Sequence, residues 1–245
     1  MKKIIPNTIT CLNLVCGACA VILALWQFYY PAFLFLIAAT CFDFCDGAAA
    51  RALGVSSPIG KELDSLADVV SFGLAPALIF FSWYFYNIET APKAFAFVSL
   101  MFAAFSAIRL AKFHLDDIQT DNFIGIPTPT AAMLISSMTA YAAQCKEKGM
   151  SSIILNLMNS SWFIPVFAVI ISFMLISELP LFSMKHKKMS FKKFPLETIC
   201  VIVSAVIIVA SLIAWRSVPL STMLTFMFYV AMNILAWFFP KKVAK

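Results

Sequence analysis

Residues 43–68 read DFCDGAAARALGVSSPIGKELDSLAD, and the rest of the chain is built around them. The stretch carries four aspartates, Asp43, Asp46, Asp64 and Asp68, with Arg51 between the pairs. It is flanked by PAFLFLIAATCF, residues 31–42, and by VVSFGLAPALIFF, residues 69–81. Both runs read as membrane helices, so the acids lie where ionised groups are expensive. A carboxylate at the centre of a spanning helix costs about 2.5–3.5 kcal/mol. Arg51 and Lys61 cannot neutralise all four, and bound divalent cations are the natural counter-charge.

The spacing supports that reading. Asp43 and Asp46 are separated by three positions, Asp64 and Asp68 by four, so each pair shares one face of its helix. Two such helix ends facing each other bring the acids into one small volume. Carboxylate oxygens favour Mg²⁺, Mn²⁺ or Ca²⁺ over zinc, and no Cys/His cluster has soft-metal spacing. Gly47 and Ala48–Ala50 leave one face bare enough for a bulky ligand to approach the backbone. Arg51 then sets a guanidinium beside the acids. Acids, small residues and an arginine together suit a phosphate ester or pyrophosphate.

The full pattern is Asp43, Asp46, Gly47, Ala50, Arg51, Gly60, Asp64 and Asp68. It resembles the signature of the CDP-alcohol phosphatidyltransferases, with no element missing. The continuation ELDSLADVVSFGLAPA is similar to the serine-using branch of that family. So is FIGIPTPTAA at 123–132, while RLAKFH at 109–114 departs from the branch pattern at Lys112 and His114. The resemblance implies a membrane bundle that moves a phosphatidyl group from CDP-diacylglycerol to a small alcohol, L-serine in this branch. It implies two divalent ions, Mg²⁺ or Mn²⁺, on Asp43, Asp46, Asp64 and Asp68, with Asp68 as general base, and a homodimer. It also implies that Pro6, Asn7 and Thr8, in PNTIT, help bind the cytidine nucleotide, with a phosphate contact near Ser57 and a close backbone approach at Gly60. Gly47 and Arg51 complete the expected CDP-diacylglycerol contacts. Without the resemblance, residues 4–10 read as an interfacial lead-in and Ser56 or Ser57 as a helix cap.

Composition leads to the same class independently. Hydrophobic residues make up 62% of the 245 and charged residues 12%, about half the charged share of soluble domains. The expected fold is an all-α polytopic membrane protein forming one integral membrane domain. Its core lies at about residues 4–145, with additional C-terminal helices at about 160–240. Eight spans are expected at 9–27, 32–51, 63–86, 92–113, 128–144, 162–180, 196–215 and 219–239. The N-terminal segment is expected to stay as the first span rather than be cleaved, because Pro6, Asn7 and Asn13 interrupt a leader-like apolar run. Seven cysteines lie mostly within apolar runs, which argues for packing rather than a disulfide framework.

With the N-terminus inside, 14 of the 18 Lys and Arg fall on the cytoplasmic side and four outside. That bias puts both termini and the acidic stretch at the cytoplasmic face of an inner membrane. The net charge of +6 follows the membrane and does not suggest nucleic acid; the expected partners are membrane lipids and the two substrates. Arg109, deep in the fourth span behind small residues, is a candidate for a phosphate or for the carboxylate of serine. Three other readings remain: the same chemistry on glycerol 3-phosphate or inositol phosphate, a cation-coupled transporter, and a non-catalytic scaffold. The transporter is disfavoured because the acids lie near one face and no repeat is present.

Overall fold

The computed structural model describes residues 4–55, 57–115, 123–177, 180–181, 203 and 216–238. The expected seventh span lies outside the described residues except for residue 203. So do Ser56 and the basic run Lys185–Lys193.

The chain begins with α1 (Ile4–Leu25) and α2 (Tyr29–Leu53). They form an antiparallel hairpin through a three-residue link. There Phe28 N–H donates to Leu23 O at 2.8 Å and Gln27 N–H to Ala24 O at 2.9 Å, a left-handed helix ending with Gln27 at φ 63°. Residues 4–10, expected as a lead-in to the first span, are already helical. Pro6 fits there because the first helical turn has no use for its missing N–H. Gly54, at φ 62°, ends α2 with its N–H on the carbonyls of Ala50 and Arg51.

The third span is a composite. Helix α3 (Pro58–Asp68) runs into a π-helical turn, Val69–Leu74, and on into α4 (Ala75–Asn87). Together they make 30 continuous residues. A π turn inserts residues into the helical register, and this one begins directly after Asp68. A 3₁₀ segment, Lys93–Ser99, then leads into α5 (Leu100–Leu115). Helix α6 (Thr128–Glu147) is buried on nearly every face. It is therefore the central helix of the bundle, shielded from lipid by its neighbours. A short α7 (Ile153–Met158), α8 (Phe163–Ile176) and α9 (Val218–Phe238) complete the described helices.

The one strand pairing among the described residues is the two-residue antiparallel pairing of β1 (Phe123–Ile124) with β2 (Pro180–Leu181). It ties the entry to α6 to the end of α8. The protein is thus an all-α polytopic membrane protein. Ile4–Leu25, Tyr29–Leu53, Pro58–Asn87 and Lys93–Lys112 are long and apolar enough to cross a bilayer, and Phe163–Ile176 and Val218–Ile234 are shorter apolar helices.

Side-chain size sorts the two faces of the helices. Ala20, Ala24, Ala32, Ala39, Ala75 and Ala77 are fully buried, whereas Leu12, Val15, Ile22, Trp26 and Leu34 are exposed. Lipid is as apolar as leucine, so helices gain from close backbone approach, which small residues allow. The tightest approach is at Gly17, where an added Cβ would stand 2.6 Å from Ser71 Cα. Ser71 Oγ also donates to Asn13 O at 3.0 Å, locking α1 to the π turn. Buried polar groups at the far end of α4 are satisfied within the bundle: Trp83 Nε1 donates to Met158 O at 3.1 Å and Tyr84 Oη to Ser161 O at 3.1 Å. Lys93 Nζ caps that end, donating to the carbonyls of Phe85 and Ile88. The cysteines among the described residues are all free.

Candidate active site

Asp43 and Asp46 stand in the last three turns of α2, and Asp64 and Asp68 on α3. Asp68 is ten residues from the start of α3, about 15 Å along the axis. Carboxylate oxygens of Asp43, Asp64 and Asp68 all lie within 4.8 Å of one another. At that separation each ionised pair repels by about 3 kcal/mol for an effective dielectric of about 20. Such a group is stable as a set of anions only with a cation among them. Three half-buried hard oxygen donors fit Mg²⁺ or Mn²⁺ in ligand type.

Asp46 does not join that trio. It is buried at 6% exposure, and its Oδ2 accepts from Thr10 Oγ1 at 2.6 Å. The Thr10 hydroxyl also lies 3.0 Å from Pro6 O. It has one proton, and the shorter contact to the anion is the stronger claim on it. The sequence pairing Asp43/Asp46 is therefore divided: Asp43 turns toward α3 and Asp46 toward α1.

Beside the acids lies a cavity of about 530 Å³, within the size range of ligand sites. Its walls come from three helices. Helix α1 supplies Pro6, Asn7 and Thr10, and α2 supplies Asp46, Gly47, Ala50 and Arg51. Ser57, Gly60, Lys61 and Asp64 close it from the α3 side. Arg51 folds back along α2, its Nη1 3.3 Å from where a Gly47 Cβ would be. Ser57 is the N-cap of α3, accepting from Gly60 N–H at 3.0 Å. An added Cβ at Gly60 would come within 3.1 Å of Asn7 Oδ1, so α1 and α3 meet closely at the cavity wall.

Most of the expected nucleotide contacts, Pro6, Asn7, Gly47, Arg51, Ser57 and Gly60, thus share one cavity. Thr8 does not line it; it is exposed and its hydroxyl bonds back to Ile4 O at 2.9 Å. Arg109 lies elsewhere, on α5, where Nη1 donates to Thr128 Oγ1 at 2.9 Å.

Sequence reasoning singled out neither Thr10 nor Asn13 as a site residue, although Asn13 Nδ2 donates to Asp68 Oδ1 at 3.3 Å. The signal was present. Pro6, Thr10, Asn13 and Gly17 recur at steps of four, three and four, and all are buried. A polar stripe at helical period inside an apolar span marks the face turned toward a site.

Acids from two helices gathered beside a cavity that also holds Arg51 and Lys61 form a site suited to phosphate chemistry. Known proteins resemble this chain in sequence. A curated protein of Bacillus subtilis named CDP-diacylglycerol–serine O-phosphatidyltransferase is 37% identical over 131 residues, covering 54% of this chain and 72% of that protein. A Helicobacter pylori protein of the same name is 39% identical over 132 residues, but the match spans only 54% of its length. A Mycobacterium leprae protein, again of that name, is 29% identical over 227 residues and covers 87% of this chain. The family match runs to residue 174, within α8. The model of the CDP-alcohol phosphatidyltransferases matches residues 3–174, more than half of the chain and with every acid of the site inside it, and the chain belongs to that family.

Proposed function

We propose that this chain transfers the phosphatidyl group of CDP-diacylglycerol to the hydroxyl of L-serine. The observation that carries the proposal is the meeting of Asp43, Asp64 and Asp68 beside the cavity walled by Asn7, Asp46 and Arg51. In this reading the serine oxygen bonds to the lipid-side phosphorus of the pyrophosphate. The phosphorus–oxygen bond to the cytidine monophosphate breaks, and CMP leaves. The products are phosphatidylserine and CMP.

Asp68 accepts the hydroxyl proton as general base, which a neutral serine hydroxyl needs in order to attack. Asp43, Asp46, Asp64 and Asp68 would hold two Mg²⁺ or Mn²⁺ ions, whose chemistry is charge neutralisation on the pyrophosphate and on the departing CMP. Thr10 orients Asp46. Pro6, Asn7, Ser57 and Gly60 shape the nucleotide cavity, with Thr8 kept as a nucleotide contact on the family resemblance alone. Gly47 admits the phosphates to the backbone of α2, and Arg51 pairs with one of them. Arg109 takes the carboxylate of serine. The acyl chains remain in lipid.

Serine as acceptor is supported by the names of the relatives and by the motifs at 62–77 and 123–132. The Lys and Arg bias supports an inner-membrane protein with both termini and the site on the cytoplasmic side. The homodimer rests on the family resemblance alone.

The test is purified protein in lipid with CDP-diacylglycerol and a panel of alcohols, the product lipids being identified by mass spectrometry. Phosphatidylserine from L-serine is the expected product. Phosphatidylglycerophosphate or an inositol lipid, with serine ignored, overturns the acceptor.

A further inference from the structure

Helix α1 touches both carboxylate pairs through neutral side chains. Thr10 donates to Asp46. Asn13, three residues on and so on the same face, reaches the other pair: its Nδ2 donates to Asp68 Oδ1 at 3.3 Å. Asp68 is the last residue of α3, where the π turn begins.

Asn13 has two attachments, one through its main chain and one through its side chain. Its backbone oxygen accepts from Ser71 Oγ at 3.0 Å. That bond and the close approach at Gly17 hold α1 against the π turn, and neither uses the amide. The seam therefore does not need an asparagine here. Yet Asn13 is fully buried, and its amide oxygen, Oδ1, has no hydrogen-bond partner among the described residues. A buried acceptor left unpaired is costly, and an apolar side chain of like size would avoid the cost. Such an exception calls for an explanation, and the N–H₂ end of the amide supplies one. A base ready for a proton is an ionised carboxylate, which only accepts. The amide must then turn its N–H₂ to Asp68 and its carbonyl away.

We propose that Asn13 is a positioning residue for Asp68: its amide fixes the rotation of the carboxylate that deprotonates the acceptor hydroxyl. This rests on the reading of Asp68 as general base and deepens it. Asn13 does not line the cavity that holds Asn7, Asp46 and Arg51. Its loss should therefore slow the transfer step and leave CDP-diacylglycerol binding in place.

The test is a double-mutant cycle in reconstituted full-length protein. Each variant is read twice: by kcat for CMP release with saturating L-serine, and by Kd for CDP-diacylglycerol. Asn13→Ala deletes the donor and keeps the backbone bond from Ser71. Its kcat should fall about tenfold to a hundredfold, the scale of a lost hydrogen bond to a charged group. Its Kd should stay within about threefold of wild type, as expected when an interaction made only in the transition state is removed. In an Asp68→Asn background the same change should alter kcat by less than about threefold, because residues that act as one unit are not additive.

Asn13→Leu, close to asparagine in size and without a donor, guards against a poorly packed alanine variant and should give the same pattern. An equal fold-loss of kcat in the two backgrounds would mean that Asn13 serves packing alone. A wild-type kcat in both variants, or a loss confined to CDP-diacylglycerol binding, would mean that the amide does nothing for Asp68. Each of these results overturns the inference. If Asp68→Asn by itself keeps a wild-type kcat, the general-base reading has failed, and the inference fails with it.

Discussion

Thr10 on α1 and Asp46 on α2, 36 residues apart, are joined by a hydrogen bond of 2.6 Å. It is the contact through which the first helix enters the chemistry of the second. Both residues line the cavity beside the acids, and Asp46 lies almost wholly out of solvent.

Removing that hydroxyl should loosen Asp46 without disturbing the trio of Asp43, Asp64 and Asp68. Thr10→Val is near-isosteric and deletes the donor. A buried bond to a charged group contributes about 1.5–3 kcal/mol, so kcat/KM for CDP-diacylglycerol should fall by about tenfold to a hundredfold. The KM for the acceptor should change little. Steady-state kinetics with each substrate varied in turn checks this, and an equal rise in both KM values would count against a local role.

In the proposed mechanism Asp64 and Asp68 share α3 but not a task. Asp68→Asn keeps one oxygen and removes the base, so kcat should fall by about two to four orders of magnitude while CDP-diacylglycerol still binds. Asp64→Asn should weaken CDP-diacylglycerol binding more than Asp68→Asn does. Binding of a radiolabelled CDP-diacylglycerol to each variant, set beside its kcat, separates them. Equal binding losses would remove the distinction.

Gly17 tests the seam between α1 and the π turn. Gly17→Ala would drive a methyl group to within 2.6 Å of Ser71 Cα, and backbone cannot yield as a flexible side chain does. Overpacking of this kind costs about 1–3 kcal/mol. The expected result is a lower Tm in detergent together with reduced kcat, since Asn13 and Asp68 sit at the same seam. A variant with wild-type Tm and activity would show the seam to be looser than described.

The four aspartates and the helices that carry them were legible before any coordinates, because charge inside apolar runs at helical spacing has few physical explanations. The regrouping of the acids was not. Asp43 and Asp46 share a face in sequence, yet one meets α3 and the other meets Thr10, a choice made by how α1 and α3 approach α2. The π turn at Val69–Leu74 was hidden as well, since VVSFGL reads as ordinary apolar helix; in the fold its Ser71 packs against Gly17 and its Gly73 against Ser106. Residues 4–10 held opposing cues: Pro6 and Asn7 favour a helix boundary locally, while the buried stripe from Pro6 to Gly17 draws the whole segment into α1.

The charge bias predicts the sidedness. Glu62 is exposed near the start of α3. In a background without the native cysteines, Glu62→Cys should react with an impermeant thiol reagent in inside-out vesicles and not in intact cells. Labelling from the outside of intact cells would reverse the topology.

The central claim is that the meeting of Asp43, Asp64 and Asp68 is a divalent-cation site that drives the transfer. Its most direct test is CMP release from CDP-diacylglycerol by reconstituted protein, with L-serine present, as Mg²⁺ or Mn²⁺ is added back after chelation. The account predicts no release in chelator, full recovery with either ion, and a loss of about two orders of magnitude or more in Asp43→Asn at saturating metal. Undiminished CMP release in chelator would contradict it.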